Sequence, residues 1–529
     1  MHESPFQSIL HTNTIPCDAD CRTIREHLTA PQRELVNLDE EISRVQDQLD
    51  ALTRRKAALD AYVEAHLAMI SPARRLPDDV VRDIFAQCLP SHRNPIVSSD
   101  EAPLLLCQIC RHWRDLALTT PRLWSSLHIV LPTDPRLQVL TQIVSEWLDR
   151  SGVLPLSLSV IYSGWTDARQ NLLPMLQRLI QSSRRWQRIH FEFGDHRAFA
   201  ALRDLRPEDV PMLRDASIHG FEHHGGWLNP DEDPVKSYQC LRFLDASHVQ
   251  RVSINRTYGM PTSDLPLPWA HLTILDIAKG LLFCDEAVAV LRRCPALEEC
   301  ELTISPLESR STDYVPPISL PRLRDMSILG ETNGTSGTSF FALLLLPSLR
   351  AFKYSQHSVL NGDVPFSPLL AQMSLLEDFT LSVVQLPPLP LLVRCLAVMP
   401  LLQHLVLASN IRRLLPPGAR DQQDHELVAQ LTPRVAAPAL CPRLATLALS
   451  GLDNISGEAL VGLVKARAHA HAPLSRLVCI MPDTVQTDFA ALLAEEMARG
   501  LVLRLEYYSL SVSDPYSPAE GTERHRLAF

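Results

Sequence analysis

Between Pro31 and Ile70 apolar residues recur in two interleaved seven-residue series. One runs Leu35, Ile42, Leu49, Val63, Ile70 and the other Leu38, Val45, Leu52, Leu59, with Lys56 and His66 interrupting the seam. No Gly or Pro follows Pro31, and Glu34, Asp39, Arg44, Asp47, Arg54 and Arg55 flank the apolar positions, so the spacing predicts one long amphipathic helix over 31–70. Such a seam either pairs two copies as a coiled coil, giving a homodimer, or packs on the rest of the same chain; Lys56 and His66 weigh against the first.

The segment Ser71 to Pro77 breaks that helix, and Asp78-Asp79 stand where acidic side chains favour a new helix start. Val80, Val81, Ile84, Phe85, Cys88 and Leu89 give one apolar stripe at helical spacing, ended by Pro90. A polar loop, His92 to Glu101, follows. A second helix is expected from Pro103 to the stop at Pro121, carrying Leu105, Leu106, Ile109, Cys110, Trp113 and Leu116.

From about residue 180 one phrase repeats: an aliphatic residue, two variable ones, an apolar one, one variable, another apolar. Its copies are Trp186/Ile189/Phe191, Leu213/Ala216/Ile218, Leu241/Leu244/Ala246, Leu272/Leu275/Ile277, Leu297/Cys300/Leu302 and Leu323/Met326/Ile328. Leu349/Phe352/Tyr354, Leu376/Phe379/Leu381, Leu402/Leu405/Leu407, Leu444/Leu447/Leu449 and Leu474/Leu477/Cys479 complete the series. Seven of the ten steps between anchors lie between 25 and 28 residues, which scattered leucines would not give. Pro stands two before the anchor at 211, 295, 321, 347, 400 and 442, where it ends helices such as 285–294 and 391–399. A step of 42 residues brackets Arg412 to Pro438, read as a loop or an insert with its own helix.

Two resemblances follow. Leu76-Pro77-Asp78-Asp79-Val80 and Ile109-Cys110-Arg111-His112-Trp113-Arg114, with the tail Leu116 to Leu127, resemble the F-box in the form found in mushroom-forming fungi, where the module often follows a heptad helix. Asp79 stands where that family usually has Glu, and the loop from Ser91 to Ala102 is longer than in the short consensus. The helix, Pro stop and alternating strand at this period resemble the leucine-rich repeat, although the Asn that usually follows the last leucine survives once, at Asn410. The implied fold is α/β: an irregular leucine-rich-repeat solenoid of parallel strands plus helices, preceded by an all-α F-box module and a long N-terminal helix. The expected layout is a disordered 1–30, a heptad helix 31–70, the module 71–127, a connector 128–180, the solenoid 181–508 and a disordered tail 509–529. The F-box resemblance implies docking on a Skp1-like adaptor and cullin through Leu76, Pro77, Val80, Ile84, Phe85, Cys110 and Trp113. The same apolar side chains would also hold so small a module together.

Variable places in the repeat point away from the apolar side of each strand. From the second copy to the eighth they include Asp215, Asp245, Asp276, Glu299, Glu301, Asp325 and Asp378 against one base, Lys353. Such a strip is either an acidic groove for a basic segment of an unknown protein substrate or a solvated face balanced by flanking Arg214, Arg324 and Arg350.

Composition trims the function classes. Apolar residues are 46% and charged residues 21%, ordinary for a globular chain, and the net charge of −10 argues against nucleic acid or an anionic membrane as partner. The start has no signal-peptide pattern, the densest apolar run (Phe340 to Leu346) is too short to span a bilayer, and twelve unpaired-looking cysteines suit a reducing cytoplasmic or nuclear setting. Cys107-Gln108-Ile109-Cys110 lacks a second pair and His469-Ala470-His471 lacks partners, so no metal or cofactor is expected. The sequons at Asn255, Asn333 and Asn454 are taken as coincidental without an export signal. No nucleophile, dinucleotide or phosphate-loop motif is present. The expectation is a non-catalytic substrate-recognition adaptor of a ubiquitin ligase; the alternative is a repeat scaffold unrelated to ubiquitin transfer.

Overall fold

The computed structural model describes residues 4–131, 137–162, 169–193, 196–220, 241–254, 264–304, 316–330, 340–356, 364–409, 421–433, 440–451, 456–468, 473–482 and 487–508. The tail 509–529, Asn410, the sequon asparagines, His469 and His471 lie outside the described residues. Two units divide the chain, Met1–Ile84 and Phe85–Phe529.

The first unit is dominated by α1, Asp18–Met69, of 52 residues. It begins well before Pro31, so residues 18–30 are helical rather than disordered. Pro31 is carried inside it at the cost of one backbone hydrogen bond. Asp20 returns a carboxylate oxygen to the Cys17 N–H at 3.3 Å, which caps the start. None of its residues is buried, and the heptad residues Leu35, Ile42, Leu49, Leu52 and Leu59 face solvent. A 3-10 turn, Pro72–Arg75, then leads to α2, Asp78–Gln87.

In the second unit the expected long helix from Pro103 to Pro121 is two short ones, α3 (Leu106–Ile109) and α4 (Arg111–Leu118). Cys110 is extended between them (φ −158°, ψ 169°), and its sulfur accepts the Trp113 N–H at 3.4 Å as the cap of α4. The polar loop before α3 is held by an Arg93–Glu101 ion pair, and Glu101 also accepts the Ile96 N–H at 2.9 Å. The Arg93 guanidinium holds the Glu101 carboxyl below its usual range.

Beyond this loop, among the described residues, stand fourteen parallel strands in one sheet, in chain order. They are β1 (Ser126–Val130), β2 (Leu156–Tyr162), β3 (Trp186–Phe193), β4 (Asp215–Gly220), β5 (Arg251–Ile254), β6 (Ile274–Leu282) and β7 (Glu299–Ile304). Then follow β8 (Asp325–Gly330), β9 (Ala351–Gln356), β10 (Asp378–Val383), β11 (His404–Ser409), β12 (Thr446–Ser450), β13 (Arg476–Pro482) and β14 (Val502–Tyr508). Ten of the eleven expected copies fall on strands. The copy at Leu241/Leu244/Ala246 does not: Arg242–Asp245 is a 3-10 turn, and the strand phrase is Val249/Val252/Ile254. Besides β5, three strands carry no expected copy. β1 straddles the boundary at 127/128, so the module read as all-α ends in a strand; β2 lies in the segment read as a connector, and β14 follows the last copy.

One apolar ladder joins them. Leu127, Leu158, Ile189, Ala216 and Val252 are register partners in turn, as are Leu275, Cys300, Met326, Phe352, Phe379, Leu405, Leu447 and Leu477. All are buried. Helices and turns cover this side: Phe366 meets the rings of Phe352, Tyr354 and Phe379, and Trp147 meets Trp124 at 4.8 Å. One residue ahead of the strands a second ladder of backbone bonds runs from Arg214→Gln187 through Thr273→Gln250, Arg350→Arg324 and Ser475→Ala445, at 2.8–2.9 Å in these steps. A single copy cannot bury its apolar side alone; stacking on its neighbours does.

The long step near Arg412 contains a helix, Asp421–Leu431. It is tied to the helix Gly457–Ala468 by Arg467, whose guanidinium donates to the carbonyls of Leu431, Leu440 and Cys441 at 2.8–3.1 Å. The side chain is buried without a carboxylate partner in those bonds, and burial pushes its ionisation down. Gly451 closes β12 at φ +70°, where a Cβ would lie 1.9 Å from the Ser409 carbonyl oxygen, so only glycine fits.

Among the described residues no helix is long and apolar enough to cross a membrane.

Candidate functional site

Two surfaces carry the sequence-derived candidates. The first is α2. Its apolar residues do not form one stripe: Val81 and Phe85 are buried, whereas Val80 and Ile84 are 40% and 42% exposed, with Leu76 38% exposed just before them. Pairs four apart share a helix face, so α2 has one buried apolar face and a second presented to solvent. Of the seven residues named for docking, Leu76, Pro77, Val80 and Ile84 are therefore available on the surface.

Phe85 is not a surface contact. It is fully buried, and its ring meets Trp113 edge-on at 5.0 Å, both residues belonging to the second unit. Trp113 is half-buried, and Cys110 is exposed but engaged as the α4 cap. Leu105 and Ile109, 42% and 54% exposed, add apolar surface around α3 beyond the seven residues named for docking.

The second surface is the sheet face opposite the apolar ladder, and its composition changes by block along the strand order. Over β1–β5 it is a polar track: His128 Nδ1 to Ser159 Oγ at 2.7 Å, His190 Nδ1 to Ser217 Oγ at 2.7 Å and His219 Nε2 to Ser253 Oγ at 2.9 Å. Asn94 pins the preceding loop to it through Ser157 and Ser159 at 3.0 and 3.2 Å. Burial, followed by the neighbouring His190, holds the His128 imidazole below its ordinary value.

Across β6–β10 the face turns acidic. Asp276 stands opposite Glu301, and Glu299 opposite Asp325, in the register. Partial burial and then Asp276 push the Glu301 carboxyl up. Burial with Glu299, Asp378 and Glu301 does the same to Asp325, and burial raises Asp378 despite His404. Lys353, exposed on β9, is the base that opposes this at both Glu301 and Asp325. Ser253 donates to Asp276 at 2.7 Å, which joins the acidic block to the polar track.

Two of the seven acids leave the strip. Asp245 lies on the 3-10 turn before β5, because the strand phrase is displaced to Val249. Asp215 is on β4 but has Arg188 and Arg251 as its register partners on either side, so two cations flank it. The strip proper is Asp276, Glu299, Glu301, Asp325 and Asp378.

Beyond β10 the same face becomes small and apolar. Val406, Ala408, Val478 and Ile480, with Thr380 and Ser382, line a depression whose acidic-block end is marked by Lys353 and Ser355. These residues were missed from the sequence, although the variable letters of the late copies carry the signal once the register is known. No protein-family model and no curated protein matches the chain.

Proposed function

We propose that this chain is a non-catalytic substrate-recognition subunit of a Skp1–cullin–F-box type ubiquitin ligase, acting in the cytoplasm or nucleus. Residues 71–127 are read as the F-box, and the parallel sheet with its covering helices as an irregular leucine-rich-repeat solenoid. The observation that carries the reading is the double-faced α2: a motif helix with Val81 and Phe85 inside keeps Leu76, Val80 and Ile84 outside. An apolar face left in water on a short helix is what a docking helix needs and a purely structural helix does not. The acidic strip and the apolar depression beside it would hold a target segment carrying basic and then apolar side chains. Holding that target near a bound conjugating enzyme raises its effective concentration, so this chain itself need supply no chemistry.

Co-expression with a Skp1-like adaptor tests this. The wild-type chain should co-purify with the adaptor, and Leu76→Asp with Ile84→Asp should abolish the complex while leaving the melting transition within a few degrees. A folded wild-type chain that captures no such adaptor would overturn the ligase reading in favour of a scaffold.

A further inference from the structure

On the polar block of the open face three side chains converge from two strands. His190 and Glu192 are two apart on β3 and so share a face, and His219 on β4 is the register partner of Glu192. One ligand atom from each lies within 4.8 Å of the other two, close enough for the three to hold an ion. His190 Nε2 is 3.4 Å from Glu192 Oε2, and the two imidazole rings stand 5.2 Å apart at 82°. A tetrahedral zinc with bonds of about 2.0–2.1 Å has its ligand atoms about 3.4 Å apart, so small side-chain rotations close the set.

The surroundings suit metal-bearing imidazoles. Ser217 Oγ holds His190 Nδ1 at 2.7 Å, which leaves Nε2 toward Glu192. His219 is oriented by Ser253, which is itself hydrogen-bonded to Asp276. Hydroxyl and carboxylate partners of this kind fix the ring that presents a ligand nitrogen. The His190 and Glu192 side chains are 32% and 18% exposed, so an ion has access from solvent.

We propose that His190, Glu192 and His219 form a binding site for a zinc-class divalent ion, with two ring nitrogens, one carboxylate oxygen and at least one coordination position open to water or to a partner's side chain. Two imidazoles and one carboxylate favour zinc over magnesium or calcium, which take oxygen ligands. The residues are separated in sequence by a full repeat, and the stacking of β3 on β4 makes the set. This site stands independently of the ubiquitin reading.

The test uses the full chain, purified without a polyhistidine tag, stripped with chelator and titrated with Zn²⁺ and Co²⁺. One equivalent should bind, with a visible Co²⁺ absorption band, and His190→Ala with His219→Ala should remove both. Ser217→Ala should weaken binding by about tenfold or more through the freed His190 ring. An equivalent kept undiminished by the folded double variant means an adventitious ion only and overturns the site. Should that variant not fold, footprinting of the wild type decides: Zn²⁺ should shield His190 and His219 from diethyl pyrocarbonate, and equal labelling with and without the metal refutes the proposal.

Discussion

Asp325 is the member of the acidic strip with the most like-charged company. It faces Glu299 across the register and feels Asp378 and Glu301 as well, while Lys353 alone opposes them. Like charges directly opposite in a sheet cost roughly 0.2–1 kcal/mol per pair. Asp325→Asn keeps the shape and removes the charge, so it should stabilise the chain at pH 7 by up to about 1 kcal/mol. The gain has a pH signature. A carboxyl whose folded value is raised binds its proton more tightly in the folded chain than in the unfolded one. The wild type therefore gains stability as the pH falls through that raised value, and the gain is complete below the unfolded value of about 3.9. The advantage of the Asn variant should be full at pH 7 and shrink on acidification. Urea midpoints for both proteins at pH 7, 5 and 4 read this directly. A variant less stable than wild type at pH 7, or one whose advantage stays constant down to pH 4, refutes the claim that burial, and after it the acidic neighbours, penalise the Asp325 charge. The same substitution should weaken capture of a basic target, and a change that stabilises the fold while weakening binding marks a surface kept for recognition.

Arg467→Met strips donors from the buried carbonyls of Leu431 and Cys441 and the part-buried one of Leu440, and at roughly 1–3 kcal/mol for each buried unsatisfied group should cost about 2 kcal/mol or more. Thermal melting checks this, and a loss below about 1 kcal/mol would mean the clamp is dispensable. If the exposed heptad face of α1 pairs two copies, Leu38→Glu with Leu49→Glu should turn a dimer into a monomer in sedimentation; a wild type that is monomeric at tens of micromolar would exclude that pairing.

The inner side of the sheet was legible because stacking forces the same two apolar positions on every copy, and a constraint repeated ten times rises above noise. The Leu241 copy misled for a physical reason. Leu241, Leu244 and Ala246 are all buried, as the phrase requires, but a 3-10 turn buries residues three apart just as a strand phrase does. β1, β2 and β14 escaped because their copies lack the leucine anchor: Trp124 fills that place before β1, and Gly500 before β14. The split of α2 into two faces was hidden because six apolar residues in twelve satisfy a single broad stripe equally well. The acidic strip was visible in outline, but its limits were not, since Arg188 and Arg251 come beside Asp215 only through the register. The His190, Glu192 and His219 cluster needed two strands to be placed side by side.

The outer face answers to a different constraint from the inner one. Stacking fixes what points inward but leaves the outward letters free, so blocks of like chemistry there do not follow from the fold. From Asp276 on β6 to Val478 and Ile480 on β13 the face passes from acidic to apolar over seven strand intervals. At about 4.8 Å each this spans roughly 34 Å, the length of about ten extended residues. A target segment laid across the strands would therefore carry basic residues at one end and small apolar ones at the other, in one direction only. A ten-residue peptide with that order should bind the full chain more tightly than the same residues reversed, and more weakly as salt rises. Equal affinity for both orders would show that the blocks are not read together, and would reduce the strip to a solvated surface.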